Sequence, residues 1–246
     1  MEQQNQPLQD RVILVTGALE GIGRAVAMAA AEAGATVVLS AIDEHELDPV
    51  YDAIEAAGHP QPAILPIDPE AATADDYIAV ANILGDTFGR LDGLAHCAAF
   101  TPYLSRIDDY DAEDWERVLK VNLTAPFMLT QACLPLLRAA ADPSVVFTSD
   151  RVGQTGKAYW GAFAAAKFGL EGLMQVLAEE TSEAGQIRVN SIDPGVVRCA
   201  MRATLYPGED PMQHPAPESV VEPYLRLLGP AGRGITGQRI QAQPTA

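Results

Sequence analysis

The chain has 246 residues, 48% of them hydrophobic, and a formal net charge of −17 from 33 acidic and 16 basic side chains. This length and apolar content suit one large core, so we expect a single domain over residues 1–246. The acidic surface argues against nucleic acid and anionic lipid as partners, and no stretch has the roughly 18 consecutive apolar residues of a membrane helix.

The first segment, residues 1–10, is polar and has neither a basic start nor an apolar core. We therefore expect a short frayed tail there, and no secretion signal. The three cysteines, Cys97, Cys133 and Cys199, are odd in number and far apart. This pattern indicates free thiols and a cytoplasmic location.

A glycine-rich turn connects the first predicted strand to a helix at residues 22–33. Gly17, Gly21 and Gly23 have the spacing G-x-x-x-G-x-G, so bare backbone can approach a pyrophosphate there. The helix offers unpaired N–H groups and its positive dipole end to the same phosphates. A strand at residues 36–39 follows, and the resulting βαβ unit predicts a dinucleotide-binding site.

Strands and helices then alternate along the chain. Further strands are predicted at residues 63–67, 91–97, 145–148, 187–192 and 235–241. Helices are predicted at residues 44–57, 74–88, 112–138, 161–180 and 220–228, and a proline-rich loop at residues 207–217. The alternation predicts an α/β, doubly wound Rossmann fold with about seven parallel strands and helices on both faces. No HExxH, paired CxxC or Walker lysine motif occurs, so we expect no metal site.

With these elements in order, the chain resembles the short-chain dehydrogenase/reductase family over almost its whole length. The resemblance rests on the glycine turn at residues 16–23, Asp68, Asn122 in Val-Asn-Leu, Lys167 in a helix, and Asp-Pro-Gly at residues 193–195. Residues 160–163, 167–168 and 199–203 most resemble the YciK-type bacterial subgroup. The family reduces carbonyls or oxidises alcohols with a nicotinamide cofactor. The resemblance therefore implies NAD(P)-dependent redox chemistry on a small carbonyl or alcohol substrate.

The resemblance also implies which residues hold the cofactor. They are Thr16, Gly17, Glu20, Gly21, Ile22, Gly23, Ile42, Asp43, Asp68, Cys97, Ala98, Lys167, Pro194, Gly195, Val197 and Cys199. In the family, an acidic residue after the second strand grips the ribose of NAD, and a neighbouring arginine grips the 2′-phosphate of NADP. These positions are Ala41 and Ile42 here, followed by Asp43. Carboxylates at Asp43 and Glu20 without an arginine repel a 2′-phosphate, so we expect NAD to be favoured over NADP.

The residues at the family's catalytic positions depart from its pattern. The family uses a tyrosine acid/base, a lysine that lowers the tyrosine pKa and holds the ribose, a serine that binds the substrate oxygen, and an asparagine that holds a water. Lys167 and Asn122 match the lysine and the asparagine, whereas Phe163 stands at the tyrosine position and Asp150 at the serine position. Phe163 has no ionisable proton, and an ionised Asp150 disfavours negative charge on a carbonyl oxygen.

Two other groups are candidates to replace the missing phenol. Tyr159 lies four residues before Phe163 and would share its face if the helix extended that far. Asp150 could donate a hydrogen bond if its carboxyl group were protonated in an apolar pocket, the alternative being an ion pair with Lys167. Two functions stay open: an oxidoreductase with a substituted acid/base, or a catalytically weak or inactive relative that binds dinucleotide or serves as a structural or regulatory subunit.

The helices predicted at residues 112–138 and 161–180 are rich in small and apolar side chains. In the family this pair of helices packs against its copy, so the resemblance implies a homodimer or homotetramer. Small residues allow such helices to approach closely, and symmetric contacts are the commonest way to bury such a face. The alternative is that these side chains face only their own sheet.

Overall fold

A parallel seven-stranded sheet, in the order β3-β2-β1-β4-β5-β6-β7, forms the centre of the computed structural model. The structure describes residues 6–182 and 187–244. The strands are β1 (Val12–Thr16), β2 (Thr36–Ser40), β3 (Ala63–Ile64), β4 (Gly93–His96), β5 (Ser144–Thr148), β6 (Arg188–Asp193) and β7 (Arg239–Gln241). The chain winds outward from β1 to β3 and then returns to build the other half from β4, which confirms the predicted doubly wound Rossmann fold.

Helices connect the strands. They are α1 (Gly21–Glu32), α2 (Asp48–Ala56), α3 (Ala74–Phe88), α4 (Ala112–Leu119), α5 (Ala125–Ala139), α6 (Gly161–Ser182), α7 (Ala200–Leu205) and α8 (Glu222–Leu228). One π-helical turn, Lys120–Thr124, joins α4 to α5, so the long helix predicted at residues 112–138 is present with a local widening. Within the described ranges, none of the helices combines the length and apolarity needed to cross a bilayer.

Three details of the predicted elements were wrong. The last strand begins at Arg239 and not at residue 235, because Gly234 and Gly237 adopt positive φ and turn the chain just before it. The third strand has only two residues, although Leu65 N and Ile67 N still donate to carbonyls of β2 and the residue after it. Helix α7 was not predicted, since six residues are too few to show a helical period.

The hydrophobic core of the described residues has two large clusters, one on each face of the sheet, and a smaller third cluster that includes Trp160 and Phe163. Alternate residues of β1 illustrate the division, with Leu14 in the cluster beneath α3, α5 and α6 and Ile13 in the cluster beneath α1, α2 and α8. Successive side chains of a strand point to opposite faces, so a sheet covered on both sides needs apolar residues at every position. The ends of the strands are therefore the places where polar groups can gather.

Residues 6–10 do not form the frayed tail that their polarity predicted. Leu8 is fully buried in the cluster that includes α1 and α8. Its N–H donates to the Ala33 carbonyl at 2.9 Å, and the Arg11 N–H donates to the Leu8 carbonyl at 3.1 Å. One leucine is enough to anchor a polar segment when a groove is available for its side chain. Residues 1–5 of the predicted tail lie outside the described residues.

Replacing Leu8 by alanine tests this anchor. We expect Leu8→Ala to lower the free energy of unfolding by about 2–5 kcal/mol, because the buried side chain leaves a cavity behind. Ile78→Ala is the control, since Ile78 is 52% exposed and its truncation removes little buried area. Urea unfolding monitored by circular dichroism provides both values. Equal losses in the two variants would show that the segment around Leu8 is not anchored.

Candidate functional site

A cleft of about 510 Å³ lies along the carboxyl ends of the strands. It lies at the point where strand order reverses between β1 and β4, which is where open α/β sheets bind ligands. The predicted site residues that line it are Gly17, Glu20, Gly21, Ile22, Gly23, Cys97, Ala98, Asp150, Phe163, Lys167, Pro194, Gly195, Val197 and Cys199. Thr16 and Ile42 line a second hollow of about 70 Å³, which shares Gly17, Ala41 and Ala98 with the cleft.

The glycine turn brings bare backbone to the wall of this cleft. Gly17 has a φ of +66°, and a Cβ atom there would lie 2.8 Å from the Cα of Ala98. A Cβ atom on Gly23 would lie 2.1 Å from the Gly17 carbonyl oxygen. Both positions therefore exclude a side chain. Since α1 starts at Gly21, its N-terminus and the bare turn together fit the pyrophosphate of a dinucleotide.

Thr16 connects this turn to the neighbouring loop after β4. Its Oγ1 accepts hydrogen bonds from Cys97 N at 3.1 Å and from Ala98 N at 3.2 Å. The hydroxyl thus holds the two loops that flank the point of strand reversal at a fixed separation. Thr16 itself lines the smaller hollow and not the cleft. It affects the cleft by holding Cys97 and Ala98, which do line it.

The residues after β2 and β3 occupy the far end of the site. Ile42 is largely exposed beside the smaller hollow. Asp43 Oδ1 accepts from His45 N at 2.8 Å, and Asp68 Oδ1 accepts from Glu70 N at 2.8 Å. Each carboxylate thus binds its own turn, and among the described residues neither belongs to the lining of the cleft or the hollow. Asp43 follows Ile42, and Asp68 lies between Ile67 and Pro69, which line the smaller hollow, so the cofactor role of both carboxylates stays a prediction.

Lys167 is buried at the centre of the site. Its Nζ donates to the Thr148 carbonyl at 2.8 Å and lies 5.2 Å from the centroid of the Phe163 ring, one helical turn away on α6. Burial lowers the pKa of Lys167 to about 8 against the opposing effect of Asp150. An apolar ring thus faces the ammonium group, and the contact between them is a cation–π interaction.

Asp150 starts the tight turn after β5, where its Oδ1 accepts from Val152 N at 2.9 Å. Burial raises the pKa of Asp150, whereas the Val152 hydrogen bond and the charge of Lys167 act in the opposite direction. Arg239 fixes the same turn from β7, since its Nη2 donates to the Asp150 carbonyl at 3.2 Å and to Asp193 Oδ2 at 2.7 Å. Burial is the largest of these effects, so the pKa of Asp150 lies above its ordinary value.

Tyr159 does not share a helical face with Phe163, so this part of the prediction was wrong. Helix α6 begins at Gly161, and Tyr159 precedes it with a positive φ of 75°. A left-handed residue cannot continue a right-handed helix, and the Tyr159 side chain is 56% exposed. It is not among the residues that line the cleft.

Asn122 is fully buried in the π-helical turn. Its Nδ2 donates to the carbonyls of Phe100 at 2.6 Å and Val118 at 2.8 Å, and its Oδ1 accepts from Phe100 N at 3.1 Å. Both donors of the side-chain amide are used inside the protein. The side chain therefore holds the segment that contains Phe100, and the water-holding role implied by the resemblance stays a prediction.

Two other polar groups near Lys167 are electrically neutral. His96 stacks on Phe147 at 4.9 Å and pairs through Nε2 with Thr130 Oγ1 at 2.8 Å. Burial lowers the pKa of His96 to about 3, and burial raises the pKa of Cys97 to about 11. At neutral pH the His96 imidazole is therefore uncharged, and the Cys97 thiol keeps its proton. Across the described residues, no group of three or more His, Cys, Asp or Glu side chains could hold a metal ion.

Several lining residues were not among the predicted site residues, although Trp160, Met201 and Arg202 lie in stretches that carry the resemblance. They are Arg151, Trp160, Met201, Arg202, Leu205, Gln241 and Gln243. Arg202 lies on α7, where its guanidinium group pairs with Glu209 at 2.8 and 2.7 Å and stacks on Tyr206. Helix α7 is capped by Cys199, whose Sγ accepts from Arg202 N at 3.4 Å. Only folding brings these side chains to the cleft, because they come from a loop, a short helix and the last strand.

Comparison with known proteins gives a consistent picture. The short chain dehydrogenase family model matches residues 11–210. The uncharacterized oxidoreductase YciK of Escherichia coli (strain K12) is 43% identical over 237 residues, which are 96% of this chain and 93% of that protein. A solved short chain dehydrogenase from Pseudomonas syringae is 47% identical, with a TM-score of 0.95 over 98% of this chain and 97% of that one. Another, from Shigella flexneri and complexed with NADP, is 42% identical, with a TM-score of 0.94 over 98% and 100%.

Proposed function

Since the chain belongs to the short-chain dehydrogenase/reductase family, we propose that it binds a nicotinamide dinucleotide along the cleft and acts on a small carbonyl or alcohol. The glycine turn at Gly17 and Gly23 would hold the pyrophosphate, and Lys167 would lie beside the nicotinamide ribose. When bound, the nicotinamide supplies the redox chemistry of the family. We also propose that the chain works as one domain and in the cytoplasm, where its three unpaired cysteines stay reduced.

We further propose that turnover is weak compared with members of the family that carry the tyrosine. The single observation behind this proposal is the contact between Phe163 and Lys167, in which a ring without a hydroxyl takes the place of the phenol. General acid–base catalysis contributes about 10²- to 10⁴-fold to rate, so its loss leaves a binding site with little chemistry. A structural or regulatory role as a dinucleotide-binding subunit is compatible with this arrangement.

A second possibility is that Asp150 supplies the missing proton. Its protonated carboxyl group could donate to the oxygen of a bound carbonyl, and the raised pKa of Asp150 favours this form. Lys167 is held by the Thr148 carbonyl and would orient the ligand without itself giving up a proton. The two possibilities differ in what the unmodified protein does with a carbonyl substrate and in its pH dependence.

We propose that NAD(H) binds more tightly than NADP(H). Glu20 lines the cleft, Ile42 lines the adjoining hollow, and neither lining has an arginine beside the end of β2. A 2′-phosphate would find a carboxylate and no cation there. The NADP complex of the Shigella flexneri relative argues for the opposite preference, so a direct measurement decides.

Calorimetry with NADH and NADPH measures this preference. We expect tighter binding of NADH to the unmodified protein, and a gain of about tenfold in NADPH affinity for Ile42→Arg, which adds a charged partner for the phosphate. Ile42→Gln is the matched control, because it adds a long polar side chain without charge. Equal or tighter binding of NADPH by the unmodified protein would contradict the proposed preference, and no binding of either would contradict the proposed function.

A pair of substitutions tests the acid/base. We expect Phe163→Tyr alone to give little reductase activity, because an ionised Asp150 would raise the pKa of the new phenol and oppose charge on the carbonyl oxygen. Phe163→Tyr combined with Asp150→Ser should exceed the product of the single effects. Oxidation of NADH with a panel of carbonyl compounds measures the two single variants, Phe163→Tyr and Asp150→Ser, and the double variant. Full turnover by Phe163→Tyr alone would contradict this account of Asp150.

The same assay separates the two possibilities for the unmodified protein. If Asp150 is the proton donor, activity is present at low pH and falls as the pH rises through the raised pKa of Asp150, and Asp150→Asn abolishes it. If no group replaces the phenol, activity stays at background at every pH. Tyr159→Phe is the control and should change nothing, because Tyr159 lies outside the cleft.

We propose a homodimer or homotetramer built on α5 and α6. Phe127 on α5 and Phe168 and Val176 on α6 are exposed apolar side chains, and a Cβ atom on Gly172 would meet nothing within 4 Å. By contrast, Gly169 packs against Leu123 of the same chain, because a Cβ atom at Gly169 would lie 2.7 Å from the Leu123 side chain. The exposed part of this surface suits a symmetric contact between helices.

Light scattering at micromolar concentration tests the assembly. We expect a dimer or tetramer, and a shift towards monomer for Val176→Glu, which places a charge within the proposed contact. Ile83→Glu is the control, since Ile83 is similarly exposed but lies on α3, away from this surface. A monomer in the unmodified protein would contradict the proposal.

A further inference from the structure

The cleft has an unusual charge distribution for a protein with a net charge of −17. Its lining contains three basic side chains, those of Arg151, Lys167 and Arg202. Lys167 is bound to the Thr148 carbonyl, and Arg202 is neutralised by Glu209. The Arg151 carbonyl accepts from Gln154 N and Thr155 N, whereas its exposed side chain makes no hydrogen bond or ion pair with the other described residues. Arg151 is thus the basic side chain of the lining that remains available to a ligand.

The acidic groups at this end of the cleft do not compensate the charge of Arg151. Asp193 is paired with Arg239 at 2.7 Å. The Asp150 carboxyl group accepts from Val152 N within its own turn, and among the described residues it forms no ion pair with Arg151. Glu20 belongs to the glycine turn, which serves the cofactor end of the cleft. An anion that enters beside Arg151 therefore meets an unpaired cation next to the proposed reaction centre.

Apolar side chains also line the cleft. Trp160 and Phe163 pack against each other with ring centroids 5.6 Å apart, and Met201 and Leu205 of α7 line the same cleft. These four side chains favour a hydrocarbon body, whereas a free guanidinium group favours an oxyanion that can accept two parallel hydrogen bonds. Together they describe a ligand with an apolar chain and one anionic end.

We propose that the substrate is a small carboxylate with an apolar body, an oxo or hydroxy acid, whose carboxylate is bound by Arg151. This inference rests on the proposed function, because it assigns a substrate class to the same cleft. It makes Arg151 a specificity residue: the side chain holds the end of the molecule away from the reacting oxygen. The carboxylate is recognised by its charge and planar shape, which an ester of the same acid lacks.

Matched pairs of ligands test this proposal without requiring turnover. Straight-chain oxo acids and their methyl esters are titrated into the NADH-loaded protein by calorimetry, and into the protein without NADH as a parallel arm. We expect the best acid to bind about tenfold or more tightly than its ester, and the difference to shrink as salt is added. Arg151→Met should remove the difference, and Arg151→Lys should keep part of it.

Lys157→Met is the matched control. Lys157 is exposed in the same segment but does not line the cleft, and its replacement changes the net charge by the same amount. It should preserve the preference for the acid. NADH affinity should be unchanged in all three variants, which separates this proposal from the proposed function.

Three results would overturn the inference. One is that no acid in the series binds more tightly than its ester, and another is that Lys157→Met removes the preference as effectively as Arg151→Met. The third is that Arg151→Met weakens NADH instead, which would assign the guanidinium group to a cofactor phosphate. Failure of NADH to bind would contradict the proposed function alone, because the acid and ester can still be compared in the arm without NADH.

Discussion

The buried ammonium group of Lys167 is the constraint around which the site is organised. A charge without water needs partners, and here the Thr148 carbonyl and the Phe163 ring provide them. The Lys167 hydrogen bond thus joins α6 to the end of β5, beside the apolar contacts that pack this helix on the sheet. The same burial shifts the pKa of Lys167 down and that of Asp150 up, so both groups move toward their neutral forms.

The two ends of the sheet have opposite roles. At the amino ends, Asp142 pairs with Arg11 at 3.5 Å and with Arg188 at 3.1 Å, so side chains before β1 and on β6 are bound to one partly buried carboxylate. These ion pairs connect separate segments at that end of the sheet. The cleft lies at the opposite end, in the loops that follow the strands. Stability and binding are therefore served by different ends of the same strands.

Cofactor binding and catalysis depend on different kinds of groups in this fold. The pyrophosphate end of the proposed cofactor site consists mainly of backbone, with Gly17 and Gly23 leaving no room for a Cβ atom. Acid–base chemistry depends on one ionisable side chain at one position, and Phe163 removes it in a single substitution. A chain can thus keep the whole architecture of a dehydrogenase while its proton donor changes or disappears.

Local patterns in the sequence determined the architecture of this protein. Glycine spacing and the alternation of strands and helices were readable, since each depends on neighbours within a few residues. The significance of Phe163, Asp150 and Lys167 came from the resemblance to the family. The burial of Leu8, the exposure of Tyr159 and the free guanidinium of Arg151 were decided only by the tertiary structure. Each depends on contacts, or on the lack of them, between segments far apart in the chain. Hydrophobic periodicity carries no information about such contacts.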